Sequence, residues 1–453
     1  MKTLDKKWKL ILFGCSGLGL NMLNMIMGSY LCSALLVGGF DHNVEYWTYL
    51  NRDLVLASPL RFATLWGMLV FGVKVFDGII DIPLSSFTDN LKTRWGRRRP
   101  AILLGYIPLI IAYVLFLFPL ENHAGIVNTL WFAGLLAVFY GAYTLTMVTY
   151  YATYAEALKD EKDRVFVSNV KSICDVVYMS ISFALVPVFV NLGINIRFVA
   201  MLFLPLAGTM LIPLFLIKEN STRSGDAQIY PMVQEKPERV SFLTSLAYAS
   251  RNKKFLFWLL VVSVMNIGLQ LFLGGINEFF SSTGLNMTIV MASAFAPVPF
   301  TLMLYNKLVK KRGLKFAFQT ILAIFSLGMT LMFVCRLLPL SVMTPLAIVC
   351  GVIVSFAIGA FFSVTYTVPA HLAAEENKKS GICASSMYFA VQGLFEGIAA
   401  GFATGIVLVF LKQNDLISIM TILVAAFCMV AFVLAYFLPA SIAKLGIEGG
   451  ERP

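Results

Sequence analysis

Histidine is nearly absent from this chain of 453 residues: His42, His123 and His371 are the only three, and none stands in a metal-ligand or catalytic-triad spacing. No GxxxxGK[ST] segment occurs, which excludes a P-loop that would hydrolyse ATP. Gly14, Gly17 and Gly19 are not spaced as a dinucleotide-binding loop, and they fall in an apolar helical run rather than a strand-turn-helix. Charge is scarce too, at 13% of residues against 59% hydrophobic, with a mean hydropathy of +0.81. That balance lies outside the range of soluble domains. The seven cysteines all fall in apolar runs without metal-type spacing and read as small apolar residues. These absences exclude a soluble fold and leave no enzyme constellation, no cofactor motif and no sign of an obligate protein partner.

What the chain has instead is apolar runs of about 20 residues, the length that crosses a hydrocarbon core of about 30 Å. Helices are predicted near 10–37, 62–84, 101–119, 128–155, 167–191 and 197–217, and again near 254–281, 288–306, 316–336, 342–370, 383–411 and 416–438. The first run continues to Val37, beyond the apolar core of about 7 to 15 residues in a secretory signal, so it reads as an uncleaved first helix. An even number of spans puts both termini on one side. Of the 35 Lys and Arg, only Arg52, Arg61, Arg197, Arg336 and Lys412 fall on the opposite side, while Lys74 and Lys171 lie inside spans. Basic residues are retained on the cytoplasmic side, so both termini are expected there, in the plasma (cell inner) membrane. The same asymmetry accounts for the net charge of +11 without nucleic-acid binding.

The longest polar stretch, 218–253, separates six spans from six. The halves carry a weak repeat: Pro83 opens PLSSFTDNLKTRWGRRR and Pro299 opens PFTLMLYNKLVKKRGLK, each expected to end its helix in a basic loop with a glycine. The fold class is therefore an all-α membrane protein with twelve transmembrane helices in two six-helix bundles, 1–217 and 254–453, joined by a cytoplasmic linker. Duplicated bundles around a central cavity are the arrangement of the major facilitator fold.

The segment KVFDGIIDIPLSSFTDNLKTRWGRRRP, Lys74 to Pro100, carries the most chemistry. Asp77 and Asp81 are four apart and share a helical face, with Lys74 one turn earlier. Each ionised side chain at mid-bilayer costs about 2.5 to 3.5 kcal/mol, so three in eight residues point to an aqueous cavity and a bound ion. Two carboxylates supply hard oxygen ligands for Na⁺, or carry a proton if burial raises one pKa; the alternative is an internal salt bridge that only locks helices. Asp89, Arg94 and Arg97 in the loop that follows are candidate gating groups.

Other polar residues inside spans mark a candidate cavity. Helix 5 carries Lys171 and Asp175 at ion-pair spacing, with coupling and a cytoplasmic-end salt bridge as the two readings. Helix 7 carries Asn266, Gln270 and Glu278; helix 11 carries Gln392 and Glu396 beside Gly393, Gly397, Gly401 and Gly405, a repeat suited to close helix contact. Tyr150, Tyr151 and Tyr154 on helix 4 offer rings and hydroxyls, though such stripes also serve packing. Asn21, Tyr150, Tyr151, Tyr154, Gln392 and Glu396 are the candidate substrate-binding set.

The helix 2 pattern Lys74, Asp77, Asp81, Pro83, followed by Asp89, Arg94, Trp95, Gly96, Arg97, Arg99 and Pro100, resembles the glycoside-pentoside-hexuronide:cation symporters, the group of the melibiose carrier. Thr144, Asp160 and Arg164 around helix 4, and Lys171 in helix 5, are similar as well. The resemblance implies Asp77, Asp81 and Thr144 as a site for Na⁺ or H⁺, and symport of a small substrate by alternating access. The chain departs from the family where its sugar-binding members carry carboxylates on helices 1 and 4: those positions hold Gly19 and Met147, with Asn21 the nearest polar substitute. The helix 11 lysine aligns with Glu396. A sugar or glycoside is thus the substrate class the resemblance implies; an amphiphile such as a lysolipid, and a non-transporting sensor or scaffold, are the alternatives.

Overall fold

The structure is a computed structural model and describes residues 6–32, 65–123, 125–157, 161–217, 219, 251–380 and 385–443. His42, Arg52, Arg61, Asp160, Cys383 and nearly all of the 218–253 linker lie outside the described residues. All regular structure among the described residues is helical.

Among the described residues, eleven helical stretches are long and apolar enough to span a membrane, and we number the spans α1 Lys7–Leu31, α3 Arg98–Phe116, α4 Ile126–Tyr151, α5 Ile173–Val190, α6 Ile196–Leu216, α7 Lys253–Ile276, α8 Thr288–Arg312, α9 Leu314–Cys335, α10 Leu340–Pro369, α11 Val391–Gln413 and α12 Ile417–Tyr436. The twelfth is α2, Leu65–Asn90. It is long enough to span, but each of its 18-residue windows contains Lys74, Asp77 and Asp81, the three charges that set it apart. The twelve-helix all-α architecture expected from the apolar runs is the one observed.

Two helices run past the prolines that were expected to end them. α2 continues through Pro83 to Asn90. α8 continues to Arg312, and Gly313 with φ +83° ends it instead. The reason at α8 is positional: the helix restarts at Val298 after Pro297, so Pro299 lies in a first turn, where a missing N–H costs nothing. α11 contains a π-helical turn, Phe402–Val407, and α6 a 3₁₀ stretch, Leu204–Leu211, entered at Pro205.

The chain divides into two compact units, Met1–Leu54 with Ile79–Glu235, and Val55–Gly78 with Lys236–Pro453. In the first, α1 lies so close to α6 that a Cβ on Gly19 would stand 1.7 Å from the Leu206 carbonyl oxygen. No side chain fits there, so this position serves helix contact, and the Gly19 N–H donates to Thr209 Oγ1 at 3.2 Å. In the second unit, the start of α2 packs along α11. Cβ atoms on Gly397, Gly401 and Gly405 would lie 2.7, 3.0 and 2.5 Å from the carbonyl oxygens of Lys74, Phe71 and Gly67. The four-residue glycine repeat is thus the contact face of α11 for this part of α2.

Candidate functional site

Each unit holds a polar network among its membrane helices. In the first unit it joins α1, α4 and α5. The Tyr143 hydroxyl donates to Asn21 Oδ1 at 2.7 Å, and Asn21 Nδ2 donates to Asp175 Oδ1 at 3.3 Å. Asp175 Oδ2 accepts from Lys171 Nζ at 2.6 Å, one turn back on the same helix. The Lys171 ammonium also lies 5.4 Å from the centre of the Tyr151 ring, within cation–π range. Asn21 is buried, whereas Lys171 and Asp175 are half-buried. An ion pair within a membrane helix is held by neighbouring dipoles, here by the Asn21 amide on the Asp175 carboxylate.

In the second unit the network joins α7, α10 and α11. Gln392 Oε1 accepts from the Trp258 indole at 2.8 Å; Gln392 Nε2 donates to the Thr365 carbonyl at 2.7 Å and to Glu396 Oε1 at 3.0 Å. Asn266 Nδ2 donates to the Glu396 carbonyl at 2.9 Å, and Gln270 Nε2 approaches Asn266 Oδ1 at 3.5 Å. Two ion pairs flank this network, Lys254 to Glu375 at 2.7 Å and the buried pair Lys412 to Glu278.

Asn21, Tyr151, Lys171 and Asp175 are therefore brought together, as are Gln392 and Glu396. Tyr150 is fully buried: its hydroxyl donates to the Phe13 carbonyl, and its ring lies against those of Phe13 and Tyr151. Thr144 is buried in the first unit. On α2, Lys74 and Asp77 are half-buried, one turn apart. The side chains of Asp81, Asp89 and Tyr154 lie outside the described part of the structure. Arg94 is exposed and Arg97 half-buried in the loop before α3.

That loop owes its shape to a residue with no sequence signal. Gly96 has φ +87°, and a Cβ there would stand 2.3 Å from Glu219. The Glu219 carboxylate accepts from the backbone N–H groups of Arg98 at 2.9 Å and Arg99 at 3.2 Å, satisfying donors left open at the start of α3. A lone glutamate at the head of the linker gave no hint of this. Trp258 was equally silent, although its indole is a donor that needs an acceptor when buried, and Gln392 is the acceptor.

A family model for MFS/sugar transport proteins matches residues 12–441. The chain belongs to that family. Membership makes it a secondary transporter of the major facilitator superfamily, not an enzyme. No curated protein matches the chain significantly. Among solved structures, it is similar to the nucleoside transporter NupG, with 15% identity over 96% of this chain and 99% of that one and a TM-score of 0.60. It is similar to a bacterial homolog of the human lysosomal transporter Spinster in an inward-facing, unoccupied conformation, with 12% identity, 97% and 98% coverage and a TM-score of 0.62. A POT family transporter in complex with 5-aminolevulinic acid gives 14% identity, 94% coverage of both chains and a TM-score of 0.60. At these identities the likeness is one of fold.

Proposed function

We propose that this MFS/sugar transport protein is a cation-coupled symporter that moves a small polar organic substrate, a sugar or glycoside, by alternating access. One observation carries the reading: Lys74, Asp77 and Asp81 occupy three positions within eight on a helix long enough to span the membrane. Such charges in a membrane helix are costly and mark an ion or substrate path. Asp77 and Asp81 take the coupling ion, Na⁺ or H⁺, and Lys74 compensates their charge when the ion has left.

The substrate class is supported by the family description and by the polar faces of α1, α5 and α11. Asn21, Asp175 and Lys171 in one unit, and Glu396 in the other, offer donors and acceptors for ligand groups. The concentration of Lys and Arg in alternate connections supports cytoplasmic termini in a cell-membrane protein.

The test is uptake of labelled sugars and glycosides into proteoliposomes under an imposed Na⁺ gradient or an imposed pH gradient. Accumulation above equilibrium that collapses with an ionophore supports the symporter. Equilibration alone, unaffected by either gradient, would leave a facilitator and remove the coupling role from α2.

A further inference from the structure

An intramembrane carboxylate without a cation of its own is the feature of the second unit that the symport reading does not absorb. Glu396 is half-buried, and among the described residues its only side-chain hydrogen bond is the one from Gln392 and it has no ion-pair partner. Its neighbours show what the arrangement excludes. Among the described residues, the Glu375, Glu278 and Asp175 carboxylates each meet an ammonium, from Lys254, Lys412 and Lys171, whereas Glu396 meets none.

The amide of Gln392 cannot turn to offer Glu396 anything but a donor. Its oxygen is held by the Trp258 indole, which has only an N–H to give, and its second N–H is held by the Thr365 carbonyl. Gln392 is itself buried, so this orientation is fixed by packing as well. One neutral amide donor does not offset a full negative charge in a membrane helix. Gln270 and Asn266 stand one turn apart on α7, joined to Glu396 through the Asn266 bond to its main-chain carbonyl. Gln270 is half-buried, and its side-chain oxygen makes no hydrogen bond among the described residues. The local surface is therefore rich in acceptors and holds a carboxylate that forms no ion pair among the described residues.

We propose that Glu396, supported by Gln392 and linked through Asn266 to Gln270, binds an ammonium group of the transported substrate. A primary ammonium has three donors and no acceptor, which suits a carboxylate that meets no ammonium of the protein. Gln392 acts as a positioning residue. This assignment rests on the carrier reading and narrows it from polar substrates in general to those with an amino group.

Thermal stabilisation of the purified full chain tests it with a panel of primary amines, amino sugars and alkylamines among them, each paired with the analogue carrying a hydroxyl in place of the ammonium. At least one amine is expected to bind at tenfold lower concentration than its hydroxyl partner, and that gap should vanish in Glu396→Gln. Gln270→Leu, a milder change, should shrink the gap severalfold and covers the case in which Glu396→Gln does not fold. An amine advantage that survives both variants, or no amine that exceeds its hydroxyl analogue, overturns the assignment. So does stabilisation by NaCl alone that disappears in Glu396→Gln, since Glu396 would then be an inorganic-cation site. Because binding is read without transport, gradient-driven uptake of hydroxyl analogues would leave the symporter standing while the ammonium site fell; tight amine binding without uptake would do the reverse.

Discussion

The Trp258 indole N–H and the Gln392 side-chain oxygen meet at 2.8 Å between two buried side chains of the second unit, and that bond turns the Gln392 N–H groups toward Glu396 and the Thr365 carbonyl. Trp258→Phe keeps an aromatic ring but removes the donor. A buried amide oxygen left unpaired costs about 1 to 3 kcal/mol, so the variant should unfold at a lower temperature or denaturant concentration. Substrate binding should also weaken, because the Gln392 amide becomes free to turn. Unchanged stability would show that the oxygen finds another donor.

The glycine face of α11 leads to a prediction about packing. Gly397→Val and Gly405→Val place carbon atoms inside contact distance of the Lys74 and Gly67 carbonyls, and overpacking of this kind typically costs about 1 to 3 kcal/mol. Gly134, on α4, has nothing within 4 Å of a Cβ, and Gly134→Ala should be neutral or gain about 0.4 to 1 kcal/mol. Unfolding midpoints of the three variants measure the contrast; equal losses would refute a special role for the α11 face.

For the ion, Asp77→Asn and Asp81→Asn should each abolish Na⁺- or pH-dependent stabilisation and active accumulation, while the protein still reaches the membrane. Na⁺ and pH titrations of thermal stability, alongside counterflow exchange of substrate, separate loss of coupling from loss of folding. Ion-driven accumulation retained in either variant would remove that residue from the ion site.

At the start of α3, Glu219→Ala leaves the Arg98 and Arg99 N–H groups without their acceptor. Loss of such a cap costs about 0.5 to 2 kcal/mol, and the charge-to-helix part of it is screened by salt. The deficit relative to wild type should therefore narrow as NaCl is raised. Glu219→Gln should recover part of the stability, since the amide oxygen still accepts. A variant as stable as wild type at low salt would show that water replaces the carboxylate there.

The membrane class, the helix number and the intramembrane charges were legible in the sequence because each follows from local composition: an apolar run of sufficient length must be a helix, and a charge within it stands out against hydrocarbon. The α11 glycine repeat was equally readable as a contact face, although its partner was not. Which polar residues meet is a different matter. Asn21 and Asp175 are 154 positions apart, Gln392 and Trp258 134 apart, and Glu219 reaches Arg98 across 121. No local period encodes such pairs. Tyr143 and Tyr150 show the limit: both lie on α4, yet one hydroxyl joins Asn21 and the other is spent on the Phe13 carbonyl. By itself the sequence determined where the chain crosses the bilayer and where its charges sit along each helix. Only the tertiary structure decided which of those groups are paired, because side-chain hydrogen bonds have a range of about 3 Å and the distances that matter are set by helix packing.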